Sequence, residues 1–153
     1  MTRKARKTKT HGPTTKTVAA NVRRLRENQG LTRRDLEART RTDPHDESSA
    51  LVTVEMLRGI ENSADPAPGK TVRRVDADDL VALALALGVN PNALLLPPTV
   101  NGTIELTGHG EVPAEYAWAW ADGRRPLSLN PDDTETYEFL ARTRPRRTTP
   151  PGY

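Results

Sequence analysis

The side chains able to do chemistry are few and dispersed. His11, His45 and His109 stand far apart in the sequence, without the paired spacing that holds a metal. Asp43-Pro44-His45-Asp46-Glu47 is the densest set of candidate ligands. No second ligand set accompanies it to complete a coordination sphere, so it reads as an acidic loop. Asp78 and Asp79 sit at a helix start, where carboxylates favour the dipole, and do not form an acid–base pair. Asp132 and Asp133 fall in a turn. The chain has no cysteine, which removes a thiolate nucleophile, a cysteine-ligated zinc and a disulfide frame. Neither a glycine-rich phosphate loop nor a nucleophile elbow is present. No catalytic residue, metal site or cofactor is expected, and the chain does not read as an enzyme.

Positive charge is the better-developed resource. The net charge is only +3, but it is unevenly placed. Arg3, Lys4, Arg6, Lys7 and Lys9 crowd the N-terminus, and Arg142, Arg144, Arg146 and Arg147 the C-terminus, with no acid among either set. Such arms are polyanion contacts or solvated tails, and charge alone permits both. Residues 1–14 and 142–153 are polar and aperiodic, so both are expected to be disordered basic tails. The basic N-terminus runs into threonines and not into an apolar stretch, which argues against a secretory signal. The longest apolar run, Leu80 to Leu87, is too short to span a bilayer. A cytoplasmic protein with no membrane association is expected.

Between the tails, a repeated grammar marks a helical domain over residues 15–98. Val18, Val22 and Leu25 follow a helical period up to Gly30, with Arg23, Arg24, Arg26 and Glu27 outside. Helix 2 opens at the cap Thr32, with Asp35 as its capping-box partner and Leu31 and Leu36 as a hydrophobic staple. Residues 41–50 have no apolar period and form a loop. Helix 3 runs from its cap Thr53 to Asn62, with Val52 and Leu57 stapled and Leu57 and Ile60 inward. Helix 4 starts at Asp76. Leu80, Leu83, Ala84 and Leu87 make its stripe, Val81 and Leu85 widen it, and Gly88 closes it. Helix 5 starts at Asn90 with Pro91 at its first position, and Pro97-Pro98 ends it.

The ordered set Val22-Arg23-Arg24-Leu25-Arg26-Glu27, Gly30-Leu31-Thr32-Arg33-Arg34-Asp35-Leu36, Leu57-Arg58-Gly59-Ile60-Glu61-Asn62 and Asp79 to Val89 resembles the Xre/Cro-like helix-turn-helix regulators. The resemblance implies a mainly α, five-helix lambda-repressor-like domain that lays helix 3 in the major groove of double-stranded DNA, often as a homodimer. Carried over by position, Thr53, Val54, Glu55 and Gly59 fall where that helix meets base edges. Arg33 falls at a usual phosphate contact, and Asn62 and Ser63 in the following loop near the DNA backbone. Arg58, Lys70, Arg73, Arg74 and the N-terminal arm are further phosphate candidates. Val54 suits a thymine methyl and Glu55 a cytosine N4, while Gly59 carries no reader. Phosphate and shape readout would therefore supply much of the binding. The connection between helices 2 and 3 is longer than the family's, through the insert 41–50. Glu37 stands where the family has a small residue. The resemblance thus implies a DNA-binding transcriptional regulator. The alternative is an antitoxin-like or adaptor module that keeps the fold and binds protein.

Residues 99–141 are a different kind of sequence. All six aromatic residues of the chain lie beyond residue 115, namely Tyr116, Trp118, Trp120, Tyr137, Phe139 and Tyr153. Thr103 to Leu106 reads as a strand, Gly108-His109-Gly110 as a turn, and Pro113 to Ala121 as a short helix or a strand. Thr136 to Ala141 alternates and is expected to pair with the first strand. A small α+β appendage follows, with its aromatics in a mini-core docked on helix 1 or helix 5. A dimer contact, a ligand pocket or a partner surface at Tyr116–Trp120 are the other readings.

Overall fold

Side-chain caps open the second to fifth helices, and a proline opens the first. In the computed structural model, which describes residues 12–149, helix α1 (Pro13–Asn28) begins with proline at its first position, where the missing N–H is not needed. Helix α2 (Arg33–Arg39) is held by the Thr32–Asp35 capping box. In α3 (Val54–Asn62) the Thr53 hydroxyl accepts from the Met56 N–H. In α4 (Ala77–Leu87) Asp76 and Asp79 form a capping box, and Gly88 takes the left-handed conformation that ends the helix. In α5 (Pro91–Leu95) Asn90 accepts from the Ala93 N–H. These five helices enclose one core, in which Val22, Leu36, Val52, Leu57, Ile60, Leu83 and Leu94 are fully buried.

A second, smaller cluster follows. Strands β1 (Thr103–Leu106) and β2 (Gly110–Pro113) form an antiparallel hairpin, with Ile104 opposite Val112. Helix α6 (Ala114–Ala121) packs on it and α7 (Asp133–Thr143) follows. Leu96, Ile104, Leu106, Val112 and Ala117 make its core. It docks on both α1 and α5. The Asn21 amide donates to the Leu94 and Leu96 carbonyls at 2.9 and 2.7 Å. The Trp118 indole N–H donates to the Pro97 carbonyl at 3.0 Å. Thr14 and Thr107 exchange hydrogen bonds between backbone N–H and hydroxyl. The protein is thus mainly helical with one small two-stranded sheet among the described residues. No described helix is long and apolar enough to cross a membrane.

Several expectations are corrected. The helix begins at Pro13, so residues 12–14 are not part of a disordered arm, and Arg142 and Thr143 belong to α7 and not to the tail. The basic residues 3–9 lie outside the described residues. Thr136 to Ala141 is helical and pairs with no strand. The Asp132 carboxylate accepts from the Glu135 N–H at 2.7 Å and starts α7, and β1 takes its partner from the adjacent hairpin arm. Val81 and Leu85 are 50% and 76% exposed. Almost every position of α4 after Asp79 is apolar, so its period does not choose a face, and the small Ala82 and Ala86 pack where larger residues were expected.

Arg26, placed outside by its charge, is buried. Its guanidinium grips the Glu61 carboxylate twice, at 3.2 and 2.8 Å, and also donates to the Leu31 carbonyl at 2.8 Å. Arg33 Nε reaches the same carboxylate at 3.1 Å and Arg23 Nε at 3.8 Å. The Glu61 side chain is 1% exposed. One buried acid therefore joins α1, α2 and α3, and its hydrogen bonds hold Arg26 more firmly protonated than a free arginine.

Two stability outcomes follow from these contacts. Glu61→Ala leaves the buried Arg26 with only the exposed Glu27 carboxylate, 3.8 Å away, and is expected to cost about 3 kcal/mol in urea denaturation. Glu47→Ala, which removes only a 3.8 Å pair between its own exposed carboxylate and the half-buried Arg41, is expected to stay within about 1 kcal/mol. The Asp35 carboxyl is held below the ordinary range by hydrogen bonds from the Thr32 backbone and side chain. A depressed folded value means its contribution is complete above the unfolded value of about 3.9 and is lost as pH falls through the lowered folded one. Denaturation curves of Asp35→Asn between about pH 5 and pH 2 are expected to show a smaller loss of stability than the parent.

Candidate nucleic-acid interface

The loop 41–50 between α2 and α3 is zipped together at its ends. The Thr40 hydroxyl accepts from the Val52 N–H at 3.1 Å, and the Leu51 N–H donates to the Thr40 carbonyl at 3.2 Å. Arg41 and Ala50 form a β-bridge. Beyond that closure, Thr42 to Ser48 stand in solvent, and the loop is tied internally by Asp43, Asp46 and Ser49. The connection therefore behaves as a short turn with a knob on it.

Helix α2 crosses α3 from one end to the other. At the far end Arg33 reaches Glu61. At the near end the Glu37 carboxylate accepts from the Val54 N–H at 2.6 Å. Glu37 thus supplies a charge-assisted cap to the first turn of α3, in a position where a small packing residue was expected. This leaves the outward stripe of α3, at i, i+4 and i+8, to Val54, Arg58 and Asn62, with Glu55 beside it. Thr53, Glu55 and Arg58 are exposed, and Val54 and Asn62 are half-buried.

Gly59 is not on that stripe. It is buried, and its carbonyl accepts from the Arg73 N–H at 3.0 Å. The Ser63 hydroxyl lies 3.1 Å from both the Gly59 and the Arg73 carbonyls and shares its one proton between them, and the Asn62 amide donates to the Thr71 carbonyl at 3.0 Å. Residues 70–74 are thereby strapped along the second half of α3. The strap carries Lys70, Arg73 and Arg74, all exposed. Arg73 leans to Asp79 at 3.7 Å.

The structure accordingly divides the expected contact residues. Thr53, Val54, Glu55 and Arg58 share the accessible end and side of α3, with Lys70, Arg73 and Arg74 running beside them. Gly59 and Asn62 serve the strap, and a base-edge role for Gly59 is excluded by its burial. Arg33 commits its Nε edge to Glu61. Sequence reasoning missed the roles of Glu37, Glu61 and Ser63 in holding α3. The signal for Glu61 was present, since a carboxylate adjoining Ile60 on the Leu57–Ile60 stripe requires a cation to meet it.

Electrostatically the surface is mixed. Arg34, Arg58, Lys70 and Arg74 face solvent near α2, α3 and the strap, while Asp43, Asp46 and Glu47 crown the knob just before α3. The Asp46 carboxyl is held below its ordinary range by the Ser48 hydroxyl and N–H. Among the described residues, no group of three histidine, cysteine or acidic side chains is placed to hold a metal ion. No family model, curated protein or solved structure matches the chain.

The strap makes a testable structural element. A Cβ on Gly59 would lie 3.1 Å from the Arg73 Cβ and 3.5 Å from its N. Ser63 and Asn62 hold the strap against retreat. Gly59→Ala is therefore expected to lose about 1 kcal/mol despite the better helix propensity of alanine. Hydrogen exchange is expected to be markedly faster at the Arg73 amide, while the Arg26 side of α3 keeps its protection.

Proposed function

We propose that α1–α5 form a lambda-repressor-like helix-turn-helix domain and that the chain is a DNA-binding transcriptional regulator. The observation that carries the reading is the outward stripe of α3, set across α2 and flanked along its second half by the basic strap. In this reading α3 enters the major groove of double-stranded DNA. Val54 and Glu55 meet base edges, and Arg58, Lys70 and Arg74 meet phosphates. With no arginine, asparagine or glutamine free at the base-facing positions, backbone contacts and groove shape supply much of the affinity.

A second reading keeps the fold as a protein-interaction module of antitoxin or adaptor type. The carboxylate of Glu37 on the first amide of α3, and the acids of the knob beside it, favour that reading. They place negative charge at the helix end that a phosphate would otherwise approach.

The test is binding to a duplex from the region upstream of the protein's own coding sequence, against a scrambled duplex, at two salt concentrations. DNA recognition predicts a preference that survives near-physiological salt. Arg58→Ala and Lys70→Ala each reduce affinity and make the salt slope shallower by about one. Arg33→Ala is a poor probe, because it also weakens the Glu61 centre. Equal binding to both duplexes that collapses with salt, with no effect of Arg58→Ala, turns the assignment to the interaction module.

A further inference from the structure

Three aromatic side chains stand on α6, and two of them are occupied. The Trp118 indole N–H donates to the Pro97 carbonyl at 3.0 Å, and the Arg125 guanidinium lies over the Tyr116 ring at 4.1 Å. Trp120 makes neither kind of contact among the described residues and is 40% exposed. It borders a cleft of about 310 Å3 between α5, α6 and α7, with Asn92, Leu95, Ala121, Phe139 and Thr143 as the other lining residues. Among the described residues the one ring contact is that of Arg125 with Tyr116. The Trp120 and Phe139 rings therefore border the same space from separate helices without stacking on each other.

Helix α7 is incompletely packed at this cleft. It is 11 residues long and has no fully buried side chain, and Phe139 and Leu140 are only half-buried. A helix of this length draws its stability from the packing of its apolar face, so the cleft marks where that packing is missing. The polar groups at the cleft are underused as well. The Asn92 NH2 donates to Asp122 at 3.1 Å, while its Oδ1 accepts from no described residue. The Thr143 hydroxyl has no hydrogen-bond partner among the described residues. No charged side chain lines the cleft, and the neighbouring Asp122 carboxylate is answered by Asn92 and Arg124.

We propose that the cleft binds a neutral, planar heteroaromatic small molecule, held between Trp120 and Phe139 with a ring N–H donating to Asn92 Oδ1. Two unstacked rings on separate helices favour a flat π-system over an aliphatic one, because offset or edge-to-face contact adds to the area buried. An amide oxygen left without a donor beside apolar walls favours a ligand that supplies one and penalises a ligand that does not. A lining without charge gives an ionic ligand no partner for the water it loses. The volume stands at the small end of ligand clefts, which suits about two fused rings. The bound molecule supplies the contacts that α7 lacks. Neither the site nor its test depends on the α3 surface.

The experiment titrates the isotopically labelled full-length protein with indole and 2-quinolone, and in parallel with N-methyl-2-quinolone and the saturated decahydro analogue, reading the NMR signals. 2-Quinolone is expected to bind with a dissociation constant of about 1 mM or tighter, an ordinary efficiency for about eleven heavy atoms. It shifts the Trp120 indole and Asn92 side-chain N–H signals and slows hydrogen exchange along α7. The N-methyl and saturated analogues each bind about fivefold more weakly or worse. In Asn92→Ala the difference between 2-quinolone and its N-methyl derivative disappears. Trp120→Leu and Phe139→Leu each weaken 2-quinolone about fivefold or more, and they lie on separate helices, so that either serves should the other misfold. Arg58→Ala leaves the binding unchanged. No binding of indole or 2-quinolone at about 5 mM overturns the proposal. So does equal binding of the saturated analogue, or binding that persists in both Trp120→Leu and Phe139→Leu. Self-association that needs Trp120 and Phe139, without binding of either planar probe, overturns it in favour of a second copy.

Discussion

A buried carboxylate dictates how the first three helices meet. Glu61 closes the inward stripe of α3, and water is excluded from it. Its charge is tolerable only if guanidinium groups reach it, and they come from different elements. Arg26 arrives from α1, Arg33 from α2, and Arg23 adds a longer contact. Such a pair contributes little net stability over an apolar substitute, because desolvation offsets the attraction. What it supplies is discrimination. An arrangement of α1, α2 and α3 that misplaces any of them strands a charge in the core, so alternatives are penalised more than the native state is rewarded. The outward direction of Arg58 and Val54 on α3 follows from where Glu61 is pinned.

The same constraint bears on the loop 41–50 between α2 and α3. The two helices are held at one end by Arg33 and Glu61 and at the other by Glu37 and the Val54 N–H. Thr40, Val52 and Leu51 then close the base of the loop. Lengthening a loop whose ends are already fixed costs little, since closure entropy grows only slowly with length. The knob is free to carry Asp43, Asp46 and Glu47, and their charge acts on whatever approaches α3.

How far the fold was legible depended on whether a local rule had a competitor. Helices α2 to α5 each announce themselves by a polar cap between apolar staple residues. Arg26 and Glu61 were legible in position but not in role. Val18, Val22 and Arg26 are spaced by four, as are Leu57 and Glu61, and both stripes end in a charge. Reading charge as exposure hid the pairing, and only two inward charges of opposite sign considered together reveal it. In α4 the failure has the opposite cause. With apolar residues nearly all round, Val81 and Leu85 carry no information about which side the core covers. Thr136 to Ala141 alternates as a strand would, yet the Asp132 cap and the acids of the first turn decide for α7. The strap at 70–74 had no sequence signal beyond Gly59 itself, which reads as an omitted side chain until Arg73 is found against it.

The separation of the two candidate surfaces follows from α1. Its Arg26 end meets α3 through Glu61, and its Thr14 end meets the hairpin on which α6 packs. Twelve residues separate those positions, a rise of about 18 Å along the helix. Substitutions at Arg58 and at Trp120 share no partner, and effects at such distances are ordinarily additive. Coupling between distant parts of the fold would have to pass through α1 as a rigid body or through the Asn21 amide on the Leu94 and Leu96 carbonyls.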